Sequence, residues 1–228
     1  MASFNGFHPD FVDFLIYLQF NNTMDLLPEN KLKYQSLISE PLTRLFHGLI
    51  QSALGVSETL ITKPSKCMST MYSDMRFSQG APLKEYMYIR FREPFKTGPK
   101  EKDVLGLYFD MGREYYSYGI RIYKQSASGM ERIRKHALAK SRDFARELEK
   151  LKDLGMALSG DKFAKDRYPN TDNETLKDLL NRKNFYIGRD CPINETVFGE
   201  GLRDEVSKAY SKLKQLFLLI KESIYEPA

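Results

Sequence analysis

Apolar positions near the start of the chain repeat at helical spacing. Phe11, Phe14, Leu15 and Leu18 fall at i, i+3, i+4 and i+7 and predict one buried stripe, with Asn21-Asn22 as its end. Pro28 suits the first turn of a second helix carrying Leu32, Leu37 and Ile38. Beyond Pro41 a third stripe runs through Leu42, Leu45, Phe46, Leu49, Ile50 and Ala53, and Gly55 stands where a terminating glycine is expected.

The pattern then switches to alternation. From Lys84 to Arg92, the apolar Met87, Ile89 and Phe91 alternate with Tyr86, Tyr88, Arg90 and Arg92. Leu105, Leu107 and Phe109 alternate with their neighbours, as do Tyr116, Tyr118, Ile120 and Ile122. Asp110-Met-Gly-Arg113 separates the last two runs at hairpin spacing, and Glu93-Pro-Phe-Lys-Thr-Gly-Pro-Lys100 reads as a loop. These runs predict an antiparallel meander, with a fourth strand at 59–63 or 67–72.

Helical spacing returns at Ser128-Gly-Met-Glu131, which has the form of a capping box. That helix is expected to pass Ala137. Another covers Phe144, Leu148 and Leu151 up to Gly155, and a short one carries Leu176, Leu179 and Leu180. Phe185-Tyr-Ile187 is a candidate extra strand before Pro192. The strongest stripe comes last: Leu202, Val206, Ala209, Tyr210, Leu213, Leu216, Phe217 and Ile220. Helices, then strands, then helices indicate an α+β fold, not the βαβ alternation of a parallel sheet. The central antiparallel sheet, a meander near 84–123, is flanked by N-terminal and C-terminal helices. No repeat, low-complexity tract or linker divides the chain, so one domain over 1–228 is expected.

Composition narrows the class. With 42% hydrophobic and 29% charged residues among 228, the chain is too apolar for disorder and too charged for a membrane protein. No apolar run approaches the roughly 18 residues of a spanning helix, so no membrane partner is expected. The apolar stretch from Phe11 to Phe20 fails as a secretory signal, because no basic residue precedes Lys31 and Asp13 interrupts it. A cytoplasmic location follows from that reading. Cys67 and Cys191 cannot make a disulfide framework and are expected to be ordinary buried thiols. Lys and Arg number 35 against 30 Asp and Glu, a net charge of +5. Much of the basic run from Arg113 to Lys152 interleaves with Glu131, Glu147 and Glu149. That pattern reads as a solvated helix face in preference to a nucleic-acid stripe.

The usual catalytic signatures are absent. There is no phosphate loop, dinucleotide turn, zinc-spaced Cys pair, H-E-x-x-H or G-x-S-x-G. No metal or cofactor is therefore expected, and no catalytic residue is assigned. His8 and His47 read as surface or packing residues on helical segments, and His136 as a member of a basic helix. What remains is a set of Arg, Lys and Tyr around the sheet. Arginine pairs bidentately with phosphate or carboxylate, and tyrosine offers a stacking face. On that chemistry Arg76, Lys84, Tyr88, Arg90 and Arg121 are the candidate ligand-binding residues of a cleft on the sheet that takes a small anionic ligand. Asp74 reads as the salt-bridge partner of Arg76, because an Arg-anchored carboxylate is a poor proton donor. The competing reading is a half-exposed sheet face on which Tyr and Arg cover apolar surface while keeping a polar end wet. Two other functions fit the same residues less well. One is a single-stranded nucleic-acid-binding module using the aromatic, basic face. The other is a protein-interaction domain using the last helix. The oligomeric state is left open.

One set of segments runs along the chain: Phe11-Val-Asp-Phe-Leu15 with Leu18, Asn21-Asn22, Asn30-Lys31, Tyr34 and Pro41; Asp74-Met-Arg-Phe-Ser78 with Pro82 and Lys84; then Gly119, Arg132-Ile-Arg134, Gly160 and Leu180-Asn-Arg-Lys-Asn-Phe185. Together they resemble the domain-of-unknown-function 2461 family over nearly the whole chain, and the segment around Asp74-Met-Arg-Phe-Ser78 is the most specific part. The chain departs from the pattern at Leu26-Leu27, Ser73, Gln79-Gly80-Ala81, Leu83 and the run from Lys162 to Tyr168. These changes remove aromatic and basic residues usual in the family. The resemblance implies no activity.

Overall fold

The computed structural model describes residues 3–74, 76–94 and 102–225. The first stripe becomes helix α1 (Asp10–Asn21), whose Phe11, Phe14, Leu15 and Leu18 are buried. Helix α2 (Leu27–Tyr34) carries Pro28 in its first turn. It runs on through a five-residue π-turn, Gln35–Ser39, into α3 (Glu40–Val56). Pro41 accounts for the π-turn. A proline has no N–H and its ring crowds the carbonyl four residues back, so the helix widens just upstream. Two expectations are corrected here. Leu32 is 68% exposed instead of buried. Gly55 does not end α3, which continues to Val56 before an extended Ser57.

The sheet has five antiparallel strands: β1 (Met87–Arg92), β2 (Val104–Met111), β3 (Tyr115–Tyr123), β4 (Ala157–Ser159) and β5 (Tyr186–Pro192). Their spatial order is β1-β2-β3-β5-β4, so the expected meander is extended by two strands from the C-terminal half. Asp110, expected in the turn, is a strand residue opposite Tyr88. The turn itself is closed by the Gly112 N–H donating to the Tyr115 carbonyl at 3.0 Å. Neither 59–63 nor 67–72 forms a strand. Pro64 starts a single helical turn, α4 (Pro64–Cys67); the chain after it meets the free edge of β1 through the bridge Met68↔Ile89 and pairs with the segment leading into β1 through Tyr72↔Leu83. That covering blunts an exposed strand edge. Residues 95–100 of the loop expected at 93–100 lie outside the described residues.

Four further helices follow: α5 (Ala127–Ala139), α6 (Ser141–Asp153), α7 (Glu174–Leu180) and α8 (Gly201–Tyr225). The cap of α5 is Ser126 and not Ser128. The Ser126 hydroxyl accepts from the Gly129 N–H at 2.9 Å and donates to Asp103 at 2.6 Å. The apolar face of the sheet, including Met87, Ile89, Phe91, Leu107 and Phe109, is buried. Phe46 of α3 stacks on Phe91 at 5.4 Å, and Tyr210 of α8 packs edge-on against Phe91 at 6.4 Å. The Tyr210 hydroxyl donates to the Tyr108 carbonyl at 2.9 Å. Among the described residues no helix is long and apolar enough to cross a membrane.

At the end of β1 a buried ion cluster locks three elements together. Lys221 of α8 meets Glu93 at 2.9 Å. Ser57 and Thr59, which follow α3, donate to Glu93 at 2.6 and 2.5 Å. Lys221 in turn donates to both hydroxyls, at 2.7 and 2.6 Å. Every member has a partner, as a charge 97% withdrawn from solvent requires: Glu93 is only 3% exposed.

Candidate functional site

Strand alternation puts a polar set on the second sheet face. From the register, Tyr88 faces Asp110, Asp110 faces Ser117 and Ser117 faces Asp190, a row crossing β1, β2, β3 and β5. The next row is Arg90, Tyr108, Gly119 and Gly188, and the third holds Arg92, Gly106, Arg121 and Tyr186. The glycines shape this floor. A Cβ on Gly188 would stand 2.1 Å from the Tyr108 hydroxyl, and one on Gly119 would stand 2.0 Å from the Ile187 carbonyl oxygen. Small residues here let Tyr108 lie buried in the sheet face, its hydroxyl 3.0 Å from that of Ser117.

A cleft of ≈ 550 Å³ opens on this face beside the β2–β3 turn. Arg121, Asp110 and Ser117 line it, and Tyr86, Tyr115 and Tyr186 wall it, with Glu114 and Asp190 completing the acidic lining. The Arg121 guanidinium sits 4.7 Å from the Tyr108 ring and 5.2 Å from the Tyr186 ring, and it meets Asp110 at 3.3 Å. Arg90 stacks 3.7 Å from the Tyr88 ring centre and donates to the Tyr86 hydroxyl at 2.9 Å.

This face is left incompletely paired. Among the described residues, Asp110 Oδ1, Arg90 Nε and the Tyr123 hydroxyl are buried polar atoms without a hydrogen-bond partner. Burial raises the Asp110 carboxyl above the usual carboxylate range, with Asp190 adding to the rise and Arg121 and Arg90 opposing it. Burial likewise pushes the Tyr108 phenol up to about 12. Lys84 is held below the ordinary lysine value, first by burial and then by the charge of Arg90.

Of the five residues predicted to form a site, the structure brings four to this face. Tyr88, Arg90 and Arg121 are strand residues on it. Lys84 reaches it from just before β1, with Nζ 5.8 Å from the Tyr88 ring. Arg76 is placed elsewhere. It stands in an exposed reversal, 81% of its side chain in solvent, and holds Asp74 through two hydrogen bonds of 2.9 and 2.6 Å. The pairing of Asp74 with Arg76 is as expected, and it keeps that carboxyl below the usual range. Sequence reasoning missed Asp110, Asp190 and Tyr186. Asp110 looked like a turn residue, and the other two join the face only through β3–β5 pairing. Among the described residues no group of three or more His, Cys, Asp or Glu side chains is placed to hold a metal ion. Both cysteines are free and buried, and burial lifts the Cys67 thiol to about 11.

Most of the other motif residues build scaffold. The Asn22 amide donates to the Leu83 carbonyl at 2.8 Å and accepts from the Leu83 N–H at 3.0 Å, fastening the end of α1 to the chain leading into β1. Arg134 is buried and donates to the carbonyls of Leu180 and Arg182. Arg182 donates to the Gly160 carbonyl at 2.8 Å, where a side chain on Gly160 would strike Asn184. The chain belongs to the family described as Conserved hypothetical protein (DUF2461), whose model matches residues 10–218. Among curated proteins, none matches it.

Proposed function

We propose that this protein binds a small molecule bearing a phosphate or carboxylate group in the cleft on the second sheet face. Arg121 is the residue that takes the acid: it lines the cleft, and its planar fork can hold a second oxyanion beside Asp110. Arg90 and Lys84 contribute positive potential from β1 and do not line the cleft themselves. The observation that carries this reading is the incomplete pairing of the face. In the cleft itself Asp110 Oδ1 is buried with no partner among the described residues; such an atom is costly in a finished structure and calls for a ligand or ordered water. The cleft volume lies in the range of small-molecule sites.

The nucleic-acid reading draws support from the same aromatic rings. It is disfavoured by the cation count of the cleft: Arg121 is the one Lys or Arg among its lining residues, enough for a single acidic group and too few for a chain of phosphates. The protein-interaction reading loses its main support, because the apolar stripe of α8 is buried in the core. Two free thiols suit a reducing, cytoplasmic setting. The test is a thermal-shift panel of phosphates, sugar phosphates, nucleotides, carboxylates and short oligonucleotides at low and moderate salt. Wild type and Arg121→Gln are compared. A ligand at 100 times its Kd stabilises by about 2.7 kcal/mol. Small anions that stabilise wild type and not the variant support the reading. Oligonucleotides alone, fading with salt, would replace it with the nucleic-acid module.

A further inference from the structure

Resting on the reading of this cleft as a ligand site, we infer that the ligand carries an amino group as well as its acidic group, so that it is an amino acid or a similar amine-bearing acid. The lining sets the charge problem. Asp110, Glu114 and Asp190 contribute three carboxylates against one guanidinium, that of Arg121. Arg90 and Lys84 add positive potential from outside the lining and Arg113 pairs with Glu114, but within the lining a plain dianion gains one cation and meets three anions. A molecule with a positive end and a negative end satisfies both.

The unused atom has the matching sign. An ionised carboxylate only accepts hydrogen bonds. Asp110 is buried, one of its oxygens meets Arg121, and Oδ1 has no donor among the described residues. An ammonium brings three donors in one compact group. Asp190 stands two strands away in the same row of the sheet, across Ser117, and is exposed to approach from the cleft mouth. The walls add to this. Tyr86 and Tyr115 are 42% and 55% exposed at the rim, and tyrosine faces attract cations. The guanidinium of Arg121 on the floor takes the acidic end.

Isothermal titration with matched probes tests the inference: butyrate, butylamine and 4-aminobutyrate, then benzoate, benzylamine and phenylalanine. The proteins are wild type, Asp110→Asn, Asp190→Asn and Arg121→Gln. Asp190 is exposed, so its variant keeps the fold even if Asp110→Asn does not. Amino acids should bind wild type at least about tenfold more tightly than the matched acids, the worth of a charged hydrogen bond. Both Asn variants should shrink that advantage while leaving the acids unharmed. Acids that bind as well as amino acids would overturn the inference and leave the anion site standing. An advantage that survives both Asn variants would overturn it too. Amines that bind wild type and Arg121→Gln alike would keep the amine contact and overturn the anion reading. No binding by either probe set overturns both.

Discussion

Two charged clusters flank β1 and differ in one respect. At its end, Glu93, Lys221, Ser57 and Thr59 close on one another, and every charged atom has a partner. On the second face, Asp110, Arg121 and Arg90 are also buried or half-buried, yet donors and an acceptor are left over. Burial of charge is common to both and so identifies neither as a site. Surplus hydrogen-bonding capacity beside an open cleft separates the second from the first. The closed cluster ties α3, β1 and α8 together, whereas the open one is available to a ligand.

The largest test strikes the closed cluster. Lys221→Met strands Glu93 as an unpaired buried charge and should destabilise the protein by roughly 3–5 kcal/mol, read from urea unfolding. Binding to the cleft should be unaffected in the folded fraction. If the loss is trivial, the contrast between the clusters collapses.

The next test fills the floor of the open one. Gly188→Ala places a methyl 2.1 Å from the Tyr108 hydroxyl and should lower stability by about 1–3 kcal/mol. Tyr108→Phe removes the clashing oxygen, so the double variant should lose less than the sum of the two single changes. Additive losses would mean that Gly188 matters for another reason.

Asp110→Asn should have a smaller effect whose sign depends on pH. Asp110 is faced by Arg121 and Arg90, which favour its charge, and by Asp190, which does not; burial outweighs them and raises its pKa. The folded protein therefore takes up this proton at a higher pH than the unfolded chain does. Wild type should gain stability on the Asn variant as pH falls through the raised value, levelling off below the ordinary 3.8. Paired urea titrations across that acid range give the result. A difference that moves the other way would place Asp110 in a polar, paired setting. The smallest effect is expected at Arg76→Ala, which should leave the melting temperature unmoved, since the side chain is exposed and, among the described residues, meets Asp74 and the exposed Phe77 ring of the same turn. A large drop would return that motif to the centre of the molecule.

The sequence revealed the polar face as half of an alternation. Tyr88, Arg90 and Arg92 could be separated from Met87, Ile89 and Phe91 because β1 is buried on one side only. It did not reveal what shares that face. Asp110 precedes Met111 and Gly112, and Asp with Gly looks like a turn, although pairing carries β2 through Met111. Asp190 and Tyr186 depend on a register between strands far apart in the chain, which local periodicity does not encode. Arg76 resembled Arg90 by residue type alone. The caps failed for a similar reason: Ser126 and Ser128 are equally good capping residues, and only the position of Asp103 selects the first.

Strand order also bears on how the molecule is made. The meander leaves the ribosome before β5 and α8 exist. Until then the outer edge of β3 is unpaired and the apolar side of the sheet has α3 but not α8 to cover it, two features that invite association with other chains. The cleft has no Asp190 or Tyr186 wall at that stage. The ligand proposed for this cleft would meet residues of both β3 and β5 in the finished protein and would find no complete site on the growing chain. Protection of the half-made sheet falls to the speed with which its last third arrives.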